Sequence, residues 1–325
     1  MVTTRLVQTV VAVVALAVIS GVYLKAGGRL ISGMPTRLRG VAAATVWVGP
    51  AVLIVAIVLV GPALSTLRLS LFDGDGDEFV GAENYTTAAG NDEILISLRN
   101  SVLWVVSLPV LSVAVGLAMA VLADRVRYES VVKSVLFLPV AISAVAAGVI
   151  WRFMLDYRPP GAPQTGTLNA IVTAIPGVTP VAWLVDRTTN NVALIGATLW
   201  TQAGFAMVIL SAGLRSIPGE LSEAARLDGA SEWQLFRRIK LPLLAPTIVV
   251  VMTTMAVIAL KAFDIVYVMT NGAYDTDVLA TSMYKQLFSD RHQGRASAIA
   301  TILMLAVTPI MVYNVRVYRR EAVGR

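Results

Sequence analysis

The residues best suited to chemical work stand in the stretch EAARLDGASEWQLFRRIKLP at 223–242, between two membrane-length apolar runs. It is dense in charge, although only 14% of the 325 residues are charged. The chemistry such a stretch offers is recognition rather than bond making. No G-x-x-x-x-G-K-[ST] phosphate loop, G-x-S-x-G elbow or H-E-x-x-H pair occurs, so this chain is not its own P-loop ATPase. The single histidine, His292, stands in a loop without the positioned partner that acid–base catalysis needs. Cysteine is absent, which removes disulfides and thiolate metal sites. DGDGDE at 73–78 begins like a calcium loop, but Glu78 stands where that pattern requires glycine and Asn84 where it requires a bidentate glutamate. A solvated acidic turn is expected there, with no metal, no catalytic residue and no cofactor. Asn84-Tyr85-Thr86 matches the glycosylation triplet, a match too common to carry weight.

Local signals predict two short helices around a glycine. Pro218 suits a first helical turn, and the helix runs through Glu220, Glu223 and Ala225 to about Asp228, where Gly229 ends it in a left-handed cap. Ser231 with Gln234 fits a capping box, after which Leu235, Phe236 and Ile239 form one apolar face until Pro242 closes the element. Ala224, Ala225, Gly229 and Ala230 keep the bend slim enough for backbone to approach backbone on another protein. The competing reading is an amphipathic loop resting on headgroups.

The elements that carry this stretch are membrane helices. Hydrophobic residues make up 57% of the chain, and mean hydropathy is +0.74. A bilayer core takes about 20 apolar residues as a helix, and such windows centre at 6–24, 41–65, 101–123, 134–155, 192–214, 247–270 and 296–315. Seven spans are expected, with Pro50, Pro109, Pro139 and Pro309 tolerated as kinks. If the charged stretch is cytoplasmic, 16 lysines and arginines fall on its side, 9 fall on the other and Lys261 stays within a span. The positive-inside rule favours that orientation, placing the N-terminus outside and the C-terminus in the cytoplasm. The net charge of +6 is therefore topology rather than nucleic-acid affinity. The expected organisation is an accessory N-terminal helix and basic linker at 1–40, a six-span core at 41–317 with the charged loop at 215–246, and a basic tail at 318–325. An uncleaved first helix is preferred to a signal peptide, because cleavage would strand Lys25 to Arg39 on the external side.

Glu223, Ala224, Ala225, Asp228, Gly229, Ala230, Phe236, Ile239, Leu241 and Pro242 resemble the EAA motif of permease subunits in binding-protein-dependent ABC importers. FVGAENY at 79–85, LRNSVLW at 98–104, VLFLPVAISAVAAGVIWRFM at 135–154 and GLRSIP at 213–218 are similar, in matching order, to the sugar-importing branch. DYRPPGAPQTGTLNAI at 156–171 and LKAFDIVYVMTNGAYDT at 260–276 resemble permeases of alpha-glucoside uptake. The resemblance covers residues 41 to 317 and implies an all-α polytopic permease of the bacterial plasma membrane. It implies a second homologous permease, two cytoplasmic ATPases that bind the ATP and magnesium, and an external sugar-binding protein. It makes the charged stretch the coupling helix, with Glu223 contacting the ATPase, Gly229 making the bend and the alanines providing fit.

Two alternatives stand beside it. A proton-coupled secondary carrier would need buried coupling carboxylates, of which only Asp264 qualifies. A related permease could also carry a non-sugar solute such as glycerol phosphate. For the substrate pathway, Thr198, Thr201, Gln202 and Phe205 fall at i, i+3, i+4 and i+7 on one helical face. Lys261 and Asp264 lie at i, i+3, close enough to pair on a continuous helix. Their position resembles that of paired asparagines in the sugar-binding span of the related maltose permease. Trp151 offers a ring for stacking on sugar. The plainer reading of these polar groups is bonding between helices, worth roughly 1 kcal/mol each.

Overall fold

The computed structural model describes residues 20–124 and 126–323. The chain divides into two compact units, Met1–Thr66 and Leu67–Arg325. Among the described residues the architecture is helical, and the one isolated β-bridge joins Phe72 to Phe79.

In the first unit a helix over residues 20–32 ends before Pro35, which caps the long helix α1 (Thr36–Leu69), whose last residues from Leu67 on belong to the second unit. The rings of Tyr23 and Trp47 meet edge to face at 5.7 Å. Pro50 lies inside α1 without ending it, and Ala56–Val60 widens into a π-helical turn just before Gly61 and Pro62. Proline offers no N–H and crowds the carbonyl four residues back, so a wider turn upstream is one way to absorb it. The predicted run at 6–24 lies for the most part outside the described residues.

The second unit is built on α2 (Asp92–Ala123), which begins at Asn91, whose side chain accepts N–H bonds from Glu93 and Ile94. It continues through α3 (Glu129–Phe137), α4 (Ala144–Met154), α5 (Asn190–Arg215), α6 (Gly219–Leu227) and α7 (Glu232–Leu243). It ends with α8 (Ala245–Leu260), α9 (Asp264–Met269), α10 (Leu279–Phe288) and α11 (Gln293–Val323). Helices α2, α5 and α8 pack together as its centre. Trp104, Leu108, Leu194 and Val266 are fully buried at one end of that centre, and Met207, Leu210, Val251 and Met255 at the other. Small residues set the closeness, because in lipid helix association depends on packing and not on expelling water.

Four described helices are long and apolar enough to cross a membrane, and the number reaches six where each of two bent pairs counts as one span. One bend and one unwound stretch correct two of the expected straight spans. The run at 134–155 breaks: Pro139 starts a 3₁₀ turn, Ile142 is extended, and Ser143 caps a new helix by accepting from the Ala146 N–H at 3.2 Å, with a 98° change of direction. The run at 247–270 unwinds after Leu260, and α9 restarts at Asp264. Pro109 and Pro309, by contrast, sit inside continuous helices. Pro242 does not close its element either, since Phe236–Lys240 adopts a π-helical turn and the helix runs on to Leu243, bending by 66° into α8.

The acidic turn closes on itself. One carboxylate oxygen of Asp73 accepts from the N–H groups of Gly76, Asp77 and Glu78 at 2.8, 2.8 and 3.2 Å. Those bonds favour the ionised form and hold its pKa below the usual carboxylate value, with the Asp77 N–H contributing most. Asn84 is buried, and its amide donates to the carbonyls of Ser70 and Phe72, which uses the nitrogen a glycan would need. His292 Nδ1 accepts the Arg295 N–H at 3.2 Å, and burial together with the Arg295 charge lowers its pKa.

Candidate functional site: the coupling bend and the broken span

The two short helices foreseen between Pro218 and Pro242 form as two capped elements. Pro218 precedes α6, and Asp228 leaves the helical region. Gly229 has φ +81°, its N–H donates to the Arg226 carbonyl at 3.1 Å, and the Ala230 N–H reaches the Ala225 carbonyl at 2.9 Å. That pair of bonds is a Schellman cap, and the positive φ is the reason glycine stands there. Ser231 and Gln234 then exchange both capping-box bonds, at 3.3 and 2.9 Å. An exposed ion pair that sequence spacing does not reveal spans the bend. Arg226 Nε lies 2.8 Å from Glu232 Oε1, across the glycine, and this bond raises the arginine's pKa.

Of the six residues expected to couple, Glu223, Ala224, Asp228 and Gly229 are exposed, Ala230 is half-buried, and Ala225 is buried. Ala225 and Leu235 root the bend, while Leu227 is 89% exposed and Trp233 66% exposed. These last two were not singled out by motif; an apolar side chain inside a charged turn was the available signal. Trp233 stacks on Phe236 over a cleft of about 770 Å³ that runs along the C-terminal half of α2. The bend therefore presents backbone, a carboxylate from Glu223 and two apolar anchors on one projecting element.

The base of this element is tied to the bundle. Lys133 Nζ lies 2.6 Å from Asp124 and 2.5 Å from Glu129 and also donates to the Ser211 hydroxyl, while Arg215 pairs with Glu129. The ends of α2, α3 and α5 are joined there, three residues before Pro218.

The proposed pathway residues separate into three groups. Thr198 and Thr201 are buried and spend their hydroxyls on the carbonyls of Leu194 and Thr198 in their own helix, at 3.1 and 2.8 Å. Gln202 and Phe205 are half-buried, and the Gln202 amide donates to Thr201 Oγ1 at 3.3 Å. Trp151 packs edge to face on Trp200 at 6.0 Å, and its Nε1 is buried without a hydrogen-bond partner among the described residues. Lys261 and Asp264 do not form the expected pair: the helix stops at Leu260, Lys261 is its C-cap, and Asp264 opens α9. The i, i+3 proximity required a continuous helix. Both side chains are exposed at the break. Non-helical backbone at membrane depth is tolerated where it is buried in protein or lines a watery cavity.

Comparison with known proteins bears on this geometry. The family profile described as binding-protein-dependent transport system inner membrane component matches residues 97–322. The chain is 49% identical over 275 residues to the osmoprotective compounds uptake permease protein GgtC of Synechocystis sp., covering 85% of this chain and 98% of that protein. It is 44% identical over 279 residues to the alpha-glucoside transport system permease protein AglF of Rhizobium meliloti, covering 86% and 83%. In fold it resembles a chain of a bacterial alginate ABC transporter crystallised with an alginate pentasaccharide-bound periplasmic protein, with TM-score 0.71 and 22% identity over 83% of this chain and 92% of that one. The matched segment contains the coupling bend, both broken spans and the central helices, and the chain belongs to the family of inner membrane components of binding-protein-dependent transport systems.

Proposed function

We propose that this multi-pass membrane protein is one of two homologous permeases in an ATP-driven importer of neutral sugars of the alpha-glucoside kind. The observation that carries the reading is the double-capped bend at 219–235, rooted by Ala225 and Leu235 and projecting Glu223, Leu227 and Trp233. A projecting element with rigid caps transmits displacement rather than absorbing it. In this reading the bend seats in a groove of a cytoplasmic ATPase, which binds the ATP and magnesium, and a second ATPase serves the partner permease. A sugar-loaded binding protein docks on the opposite face.

Coupling then follows from differential affinity. Shifting a two-state bundle from 1:99 to 99:1 takes about 5.5 kcal/mol. Burying Leu227 and Trp233 in one nucleotide state supplies energy of that order, at about 1.5–3 kcal/mol for a large apolar side chain. The relative named for alpha-glucoside transport supports the substrate class. A secondary carrier finds no support in the break, where Asp264 is exposed and not buried as a proton-coupling carboxylate would be. The test is reconstitution with the two ATPases, the partner permease and the binding protein. Sugar-stimulated ATP hydrolysis that requires every component is the expected result, and hydrolysis indifferent to this chain refutes the reading.

Two predictions arise here. With the N-terminus outside, a cysteine at the exposed Ser32 resists membrane-impermeant thiol reagents in intact cells, while one at the exposed Ala89 is labelled. The chain contains no cysteine of its own, so the background is nil, and the reverse pattern inverts the topology. Lys261→Met at the helix break lowers sugar uptake about tenfold or shifts sugar preference, and leaves basal ATP hydrolysis intact. Uptake kinetics unchanged in both Lys261→Met and Gln202→Leu would place the sugar route in the partner permease.

A further inference from the structure

A polar pocket of about 250 Å³ lies at the other end of α2 from the coupling bend. Glu93 and Ile94 in the first turn of α2 line it, whereas Ala114 to Asp124 at the far end of the same helix line the cleft beside Trp233. The helix has 32 residues, which at about 1.5 Å each is roughly 48 Å. The remaining walls come from the end of α9, the loop after it and α10, through Tyr267, Asn271, Asp277, Tyr284 and Gln286.

Two acceptors on residues of the lining lack donors. Asp277 Oδ1 and Gln286 Oε1 are buried and have no hydrogen-bond partner among the described residues. Gln286 Nε2 donates to Asp290 at 2.7 Å, which fixes the amide with its oxygen turned away from that carboxylate. Lys285 neutralises Asp277 through the other oxygen at 2.6 Å. A buried acceptor left unpaired is destabilising, so the pocket favours a ligand that brings donors. Glu93, Asp277 and Asp290 against Lys285 leave the lining negative, which disfavours anionic ligands. Among the described residues no group of three or more His, Cys, Asp or Glu side chains is placed to hold a metal ion.

Tyr267 and Tyr284 of the lining belong to an aromatic cluster. Tyr267 meets Tyr284 edge to face at 5.4 Å, Phe263 stacks on Tyr267 at 5.1 Å, and Tyr284 contacts Phe288 at 4.7 Å. Tyrosine presents an apolar ring face with a polar rim, the complement of a sugar ring whose C–H faces are apolar and whose edge carries hydroxyls. The cavity, at about 250 Å³, is slightly smaller than the roughly 300 Å³ at which pockets for drug-sized ligands begin, which suits one ring of a saccharide.

The rim is rigid. Asn271, Gly272, Tyr274 and Asp275 all have positive φ, at 52°, 73°, 58° and 60°. Strained residues of this kind persist only where their surroundings over-determine them. Here the fully buried Asn100 donates to the carbonyls of Asp275 and Asp277 at 2.7 and 2.8 Å, Asn190 donates to that of Tyr274 at 2.7 Å, and the Leu279 N–H donates to Ser101. A Cβ at Gly272 would collide with Asp277 and Lys285, so this turn is built around the pocket's own charged pair.

We infer that this pocket binds a single neutral, hydroxyl-rich sugar ring at the end of the bundle remote from the coupling bend, and that it screens against acidic saccharides before sugar reaches the broken span. The inference rests on the sugar-permease reading and deepens it.

The test uses the full-length chain in lipid nanodiscs without its partners, titrated with maltose and with glucuronate and followed by saturation-transfer NMR. Saturable maltose binding is expected, with Gln286→Leu and Tyr267→Ala each weakening it at least tenfold, Tyr267→Phe retaining it, and glucuronate giving no signal. Absence of maltose binding, binding unchanged in Gln286→Leu, or equal binding of glucuronate each overturns the inference. A normal size-exclusion profile for Gln286→Leu keeps the result independent of any folding defect in Tyr267→Ala. Maltose uptake by cells carrying the complete importer separates the two levels. Uptake without nanodisc binding refutes the pocket alone, and nanodisc binding without uptake of any neutral sugar refutes the permease reading alone.

Discussion

Replacing Gly229 with proline abolishes sugar-stimulated ATP hydrolysis in the reconstituted importer while the protein remains folded in the membrane. The expected loss is tenfold or more, because the substitution strikes the bend twice. Gly229 sits at φ +81°, whereas proline is locked near −65°. Its N–H also donates to the Arg226 carbonyl, a bond that proline cannot make. Losing both undoes the Schellman cap, displaces the Ser231 capping box and separates Arg226 from Glu232. Nothing lies within 4 Å of a Cβ built at Gly229, so the effect is one of backbone direction and not of collision. Gly229→Ala is the graded control: it carries only the left-handed penalty of about 1–2 kcal/mol and retains part of the stimulation. Glu223→Lys leaves the bend intact and reverses one exposed charge, so it weakens stimulation without changing the thermal midpoint of the isolated chain. Normal stimulation in the proline variant, measured beside an unchanged size-exclusion profile, would remove the bend from the coupling mechanism.

The parts of this structure legible in sequence are those decided within a few residues. The cap at Gly229 and the box at Ser231 and Gln234 depend on backbone bonds spanning no more than five positions, and both stand where local pattern placed them. Membrane helices follow from composition, since lipid offers the backbone no other partner. What apolar windows cannot register is a break within a span. Pro139 lies at one break while Pro109 and Pro309 lie in continuous helices, so proline by itself does not decide the matter. Ile142 in extended conformation followed by a serine cap does. The same limit misplaced Lys261 and Asp264, whose pairing was inferred from a helical period that ends at Leu260. Contacts that join distant segments, such as Lys133 with Ser211 or Asn100 with the loop at 275–277, leave no periodic trace at all.

Those distant contacts give the molecule its working geometry, and the central helix pair exposes it to a sharp test. Gly116 of α2 lies against α5 so closely that an added Cβ would come 2.7 Å from the Ala206 Cβ and 2.9 Å from the Met207 nitrogen. Carbon atoms prefer about 3.5–4.0 Å, so Gly116→Ala must push the two helices apart by about 1 Å. The neighbours cannot yield, because Ala206, Met207 and Leu210 are fully buried and one of the crowded atoms is backbone. Overpacking of this kind costs about 1–3 kcal/mol, and Gly116→Leu exceeds what the site can absorb. The same two helices run from the pocket lined by Glu93 to the lysine network at Asp124 and Ser211, so under the proposed coupling a wedge between them also disturbs the two ends' relative placement. Gly116→Ala is therefore expected to lower the thermal midpoint of the purified chain and to reduce sugar-stimulated ATP hydrolysis, and Gly116→Leu to abolish accumulation of folded protein in the membrane. Gly196 on α5 supplies the control, since nothing lies within 4 Å of its Cβ position and Gly196→Ala gains helix propensity without a clash. Equal thermal midpoints for Gly116→Ala and Gly196→Ala would show that α2 and α5 are not held at the distance on which this transmission depends.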